Sequence, residues 1–215
     1  MTDPAVGDTP GLRERKRLAT RRAIQVAAIT VVRERGFDAT TVDEIARIAD
    51  ISPRTFFNYF TSKEEAIVGD GPEVPEGEAR DAFIADRSPI FPAIAQLFSV
   101  NITPALHDQE MVVLRRTLMK TNPELGAKRW ATIYHFEAQV IDVVTRRLAE
   151  EFPELAADPA ALAERARLTA FVAIGGMRCA WLTWMDDNGE HATLVERLHE
   201  TFDLLPQIAA TSVRT

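Results

Sequence analysis

The chain has one cysteine, Cys179, in 215 residues, so no disulfide can form within it, which fits a reducing cytoplasm. That cysteine has no Cys-x-x-Cys partner and reads as an inert core residue of an apolar helix. No apolar run reaches about 18 residues, so no transmembrane helix and no membrane partner are expected. The opening stretch MTDPAVGDTPG lacks a basic region followed by an apolar block, so no signal peptide is expected either. Also missing are a Gly-rich phosphate loop, a G-x-S-x-G elbow and an H-E-x-x-H pair. His135-Phe136-Glu137 spells H-x-E, but no P-C-x-x-C follows it. His107 and Glu110 lie one helical turn apart without further ligands, too few to hold a metal. The expectation is therefore a cytoplasmic protein that is not an enzyme and carries neither metal nor cofactor. Strand-like alternation, internal repeats and low-complexity tracts are absent as well.

Net positive charge is a further apparent lack, because the chain carries −7. Residues 11–63, however, hold eleven Lys and Arg against six Asp and Glu, whereas residues 64–215 hold fourteen against twenty-four. A basic head on an acidic body suits a phosphate-binding domain attached to a partner domain that does not bind nucleic acid. A merely solvated cationic surface is the bland alternative.

What is present centres on Thr40 to Lys63, TTVDEIARIADISPRTFFNYFTSK. Thr41 followed by Glu44 makes a capping box, and Val42, Ile45, Ala46 and Ala49 form one apolar helical face. Asp50 sits where the chain must turn and tolerates a left-handed backbone. Ser52 caps the next helix and Pro53 takes its first position. Ile51, Phe56 and Phe60 can pack back on the first helix, leaving Arg54, Thr55, Asn58 and Tyr59 outward. Phe56 reads more readily as core; Phe57 reads equally as core or as surface. This is a helix-turn-helix over about residues 41–60, whose second helix carries donors and aromatics suited to a major groove.

The run GFDATTVDEIARIADISPRTFFNYFTSKEEAIV, residues 36–68, closely resembles the N-terminal domain of the TetR family of bacterial transcriptional repressors. An aromatic after a Gly ending the first helix, a Thr-capped second helix, a Ser-capped third, a closing aromatic pair and Ser-Lys-Glu carry the resemblance. It covers roughly the first third of the chain. Asp50 stands where the family usually has Gly, and the early Gly and Pro after Val68 imply an unusually short fourth helix. The resemblance implies that each subunit of a dimer places the Ser52–Phe60 helix in a major groove. Arg54 is then the choice for a base edge, and Thr55 and Asn58 for bases or backbone. Thr40, Thr41, Ser52, Tyr59 and Lys63 are placed for phosphates, with Arg47 a weaker phosphate candidate. Two heads imply a palindromic operator in double-stranded DNA.

Along the rest of the chain, residues 1–12 are expected to be a disordered arm. Arg13, Arg15, Lys16 and Arg17 then form either a DNA-tracking arm or a floppy cationic end. Ile24, Ala27, Ala28 and Val31 mark the buried stripe of a first long helix that Gly36 ends. Ser62 opens a fourth helix, stopped by the breaker cluster GDGPEVPEG at 69–77. The division expected is a DNA-binding domain at 13–76 and a ligand-binding and dimerisation domain at 77–215. The latter should hold helices over 78–87, from Ser88-Pro89 through Ile102, over 107–121, from Asn122-Pro123 to about Glu151, from Asp158-Pro159 to about Met185, and a last one through Leu205. The fold class expected is all-α, a three-helix DNA-binding head followed by a helical bundle.

The last two helices have apolar surface to spare. Ala173, Gly176, Ala180, Trp184, Leu194, Leu198, Phe202 and Leu205 are candidates for a homodimer interface, which the resemblance implies; the alternative is a monomer core. Phe98, Met111, Leu114, Leu118, Trp130, Tyr134, Met177 and Trp181, interleaved with Asn101, Arg115 and Arg178, are candidates to line a pocket for a small, largely apolar effector. An apolar stripe at helical spacing is also what plain core looks like. The function expected is a ligand-released homodimeric repressor. An architectural DNA protein, or an enzyme with a vestigial head, is the alternative.

Overall fold

A computed structural model describes residues 12–102, 109–186 and 193–211. Residues 1–11, with the expected arm, and His107 lie outside the described residues, as do the side chains of Met111 and Trp130. The described chain is all α-helical with no strand, and its helices group into two compact units.

The first unit comprises residues up to Gly69 together with 111–129. Helix α1 (Leu12–Arg35) buries the expected stripe, Ile24, Ala27, Ala28 and Val31, and ends at Gly36, whose φ of 82° only glycine adopts without strain. Arg13, Arg15, Lys16 and Arg17 are exposed residues of α1's first turns, so this basic run is helix rather than an extended arm. Helices α2 (Val42–Ile48), α3 (Pro53–Phe57) and α4 (Lys63–Val68) pack beneath α1 through Ile45, Phe56, Phe60, Ala66 and Ile67. The same core takes in Leu125, fully buried, with Leu114, Leu118 and Met119 packed against it. These come from α7 (Gln109–Thr121) and the first turns of α8 (Pro123–Glu151). Arg115 of α7 donates from Nε to the carbonyl of Ile67 at 2.8 Å, satisfying an orphan acceptor at the C-terminus of α4. Its guanidinium lies where a Cβ on Gly69 would come within 2.8 Å, and Gly69 has a φ of 72°. α4 is as short as the Gly and Pro after Val68 imply.

The second unit holds α5 (Glu78–Ala85), α6 (Ile90–Ser99), α8 from Trp130 onward, the short α9 (Pro153–Ala156), α10 (Pro159–Asp186) and α11 (Leu194–Thr211). α6 ends at Ser99, earlier than expected, and α9 was not foreseen, since four residues are too few to show a period. Phe98 sits at the centre, 5.4 Å from the ring of Phe136 and 6.2 Å from that of Phe202, the latter edge-on. Gly176 lets Phe202 approach, because a Cβ there would lie 3.1 Å from the Phe202 ring. By length and composition α10 could cross a membrane, with a mean hydropathy of 1.2 over its best window. Its small residues instead pack against α11.

Arg147 of α8 is the largest fully buried side chain. Nη2 donates to the carbonyl of Ser88, Nη1 approaches that of Phe83 at 3.4 Å, and the guanidinium lies 4.8 Å from the Phe83 ring. Asp86 and Glu151 each come within 3.6 Å of it. The Asp86 carboxylate also accepts from the Ser88 hydroxyl at 2.6 Å and the Ser88 N–H at 2.8 Å. These Ser88 bonds, reinforced by the Arg147 charge, hold its pKa below the ordinary 3.8. A depressed carboxylate stabilises the fold at pH values above its unfolded pKa, and that contribution is lost as the pH falls through the folded pKa. Wild type and Asp86→Asn are therefore expected to differ in urea denaturation at about pH 6 and to converge towards about pH 2. A gap that persists unchanged in acid would refute this role of the carboxylate.

Candidate nucleic-acid interface

The head's surface follows from how its short helices are capped. Thr41 accepts the Glu44 N–H at 3.3 Å, and Ser52 accepts the Thr55 N–H at 3.1 Å. Asp50 adopts a φ of 54°, the left-handed turn its residue type permits. The turn aims α3 so that Phe56 and Phe60 are buried, while Arg54, Phe57 and Asn58 are exposed. These last three stand at i, i+3 and i+4 and share one face of the helix. The side chains of Arg54 and Asn58 make no hydrogen bond or ion pair among the described residues, which leaves their donors available.

The other candidates divide. Thr41 and Ser52 are exposed at helix N-termini, and Thr55 is half-buried, its hydroxyl 2.9 Å from that of Ser52. Arg47 is exposed and pairs with Glu44 at 3.1 Å; Glu44 also binds Arg35. Tyr59 is half-buried, and its carbonyl accepts from Arg21 at 2.7 Å, while the Arg21 guanidinium lies 4.2 Å from the Phe60 ring. Thr40 is buried and gives its hydroxyl proton to the Gly36 carbonyl at 2.8 Å. Lys63 donates to the carbonyls of Phe37 and Thr40, at 3.0 and 2.8 Å, with Nζ 4.7 Å from the Phe37 ring. Both residues tie the loop after α1 to the start of α4.

The pocket candidates are distributed over both units. Leu114, Arg115 and Leu118 belong to the first unit, whereas Phe98, Asn101, Tyr134, Met177, Arg178 and Trp181 belong to the second. Phe98 is buried core, Tyr134 is 66% exposed, and Arg178 is exposed. Asn101 donates to the Glu73 carbonyl at 3.0 Å, Met177 packs on the core, and Trp181 lies 5.6 Å from Trp184. An open groove of about 560 Å³ lies instead in the first unit, along Ala19, Ala23, Val26, Ile48 and Ala49.

Of the interface candidates, Ala173, Gly176, Ala180, Trp184, Leu194, Leu198 and Phe202 are buried within the protomer, and Leu205 packs against the same core. Exposed large apolar residues on those helices are Leu168 and Phe171 of α10 and Leu204 and Ile208 of α11, and Cys179 of α10, expected in the core, is exposed as well. Sequence reasoning missed them because α10 is apolar on most sides, and composition does not say which side meets α11. The spacing of Leu168 and Phe171, one turn apart, was the signal available.

Capped short helices, a left-handed turn and a second helix with free donors on one face define a helix-turn-helix DNA-binding head. The model of bacterial regulatory proteins of the tetR family matches residues 24–66. Over residues 24–66 the chain is therefore similar to the TetR family of bacterial helix-turn-helix regulators. It is 38% identical over 76 residues to the HTH-type transcriptional regulator TcmR of Streptomyces glaucescens, which is 35% of this chain and 31% of that protein. The match thus spans about a third of the length of that curated relative. Its fold is similar to that of the fatty acid degradation regulator FadR from Bacillus halodurans, with a TM-score of 0.51 and 17% identity over 86% of this chain and 94% of that one.

Proposed function

We propose that this protein is a sequence-specific transcriptional regulator, a cytoplasmic homodimeric repressor released from a palindromic operator by a small, largely apolar effector. In this reading residues 13–76 bind DNA and 77–215 serve ligand binding and dimerisation. The observation that carries it is the exposed face of α3, where Arg54 and Asn58 present free donors beside the apolar ring of Phe57. Thr41, Ser52 and Arg47, with the exposed cations of α1's first turns, are the phosphate-binding groups of this reading. Thr40 and Lys63 support the loop behind them. Leu125 of α8 belongs to the core of the first unit and Phe136 of the same helix to that of the second. A coupling of about 1–3 kcal/mol would lower operator affinity roughly 5–150-fold.

Selection of duplexes from a random pool by the purified protein tests the reading. Enrichment of a palindrome with a guanine in each half is expected. Uniform recovery of all sequences, with binding that only salt modulates, would leave an architectural DNA protein in its place.

The dimer of this reading forms across the exposed faces of α10 and α11. Charging that face with the pair Phe171→Glu and Leu204→Glu should convert a dimer into a folded monomer in sedimentation velocity. A variant that sediments as wild type would place the interface elsewhere.

A further inference from the structure

Phe57 is the phenylalanine the fold leaves most open, at 56% exposed, although it directly follows the fully buried Phe56. Three facts separate it from an ordinary surface apolar residue. It stands at i+3 from Arg54, one turn along the same exposed face, so it flanks a side chain with available donors. Its ring is set edge-on against Phe56, centroids 5.5 Å apart at 87°, so packing orients it. And it has no polar atom, so it can neither bind a phosphate nor accept from a base edge. In a major groove the one apolar group a base edge presents is the 5-methyl of thymine.

We infer that Phe57 is a specificity-determining residue that reads a thymine methyl within the half-site, beside the base pair contacted by Arg54. The inference rests on the proposed reading of α3 as the groove-facing helix and adds what that reading leaves open: an apolar element in the recognition code. Water covers the exposed ring in the free protein; docking on a methyl removes that water from both groups. A cytosine at the same position offers an amino donor and no methyl, and the ring has nothing to pair with that donor.

Replacing thymine by deoxyuridine in the selected operator removes the methyl and nothing else. At one thymine per half-site, uracil should weaken wild-type binding roughly fourfold, and about 15-fold when both half-sites are changed. The Phe57→Ala variant should bind the thymine and uracil operators equally. Because the wild-type arm needs no altered protein, misfolding of the variant cannot decide the result. Equal wild-type affinity for every uracil-substituted operator would overturn the inference, as would a uracil penalty that survives in Phe57→Ala, or a half-site with no thymine next to the guanine. In each case the specific operator itself would stand. Failure to select any operator would instead overturn the reading of α3, and the role of Phe57 with it.

Discussion

Arg54→Ala is expected to abolish selective binding while leaving the fold intact. The side chain is exposed on α3 and makes no internal bond among the described residues, so its removal costs the head nothing in packing. A bidentate arginine–guanine contact discriminates by about 1–3 kcal/mol, and a twofold dimer loses it at both half-sites. Operator affinity should therefore fall roughly 30-fold to 10⁴-fold. Arg54→Lys should recover little, because an ammonium cannot make the planar double contact that a guanidinium makes. Affinity for random duplex should hardly change in either variant, since α1 and Arg47 keep the phosphate-facing charge. Fluorescence anisotropy on the selected operator, with and without excess competitor DNA, gives both quantities. A loss shared equally by operator and random duplex would reassign Arg54 to the backbone.

The second large effect concerns stability. Arg147→Ala should cost the second unit about 2–5 kcal/mol, as a large buried side chain does when it leaves a cavity. The carbonyls of Phe83 and Ser88 lose their donor at the same time. Asp86 and Glu151 remain partly exposed and can return to water, which keeps the loss from growing larger. Arg147→Met should lose less, because it keeps most of the packing and brings no charge into the interior. Urea denaturation followed by tryptophan fluorescence reports on this unit, since Trp130, Trp181 and Trp184 all belong to it. A loss below about 1 kcal/mol for the alanine variant would mean that the buried guanidinium is nearly isoenergetic with a cavity.

Local signals in the sequence were enough for the head. Caps at Thr41, Ser52 and Ser62, the turn at Asp50 and the stripe Ile24–Val31 each act over a few residues of backbone, and each appears in the structure where the residues predict it. The outward Arg54 and Asn58 follow from the same short-range geometry. Phe57 was ambiguous because its neighbour Phe56 has the same chemistry, and only the packing of α3 on α1 and α2 decides which ring is covered.

Thr40 and Lys63 show where local reasoning stops. A threonine and a lysine near helix N-termini look like phosphate ligands, but here the Thr40 hydroxyl donates to the Gly36 carbonyl and Lys63 donates across 26 and 23 residues to the carbonyls of Phe37 and Thr40.

The body depends more heavily on long-range packing. That α10 is a helix was written in its composition; that Ala173, Gly176 and Ala180 meet α11 of the same chain, leaving Leu168 and Phe171 outside, was not. Leu114 and Leu118 were legible as apolar positions, either pocket or plain core, yet only the folded chain packs them with Leu125 in the core of the first unit. The sequence by itself therefore determined the all-helical class, the caps and turns, and the helix that faces outward, because those depend on backbone sterics and hydrogen bonds within one or two turns. Which apolar face finds which partner was decided by the tertiary structure, because hydrophobic burial is non-directional and a stripe of leucines and alanines is chemically equivalent against any complementary surface.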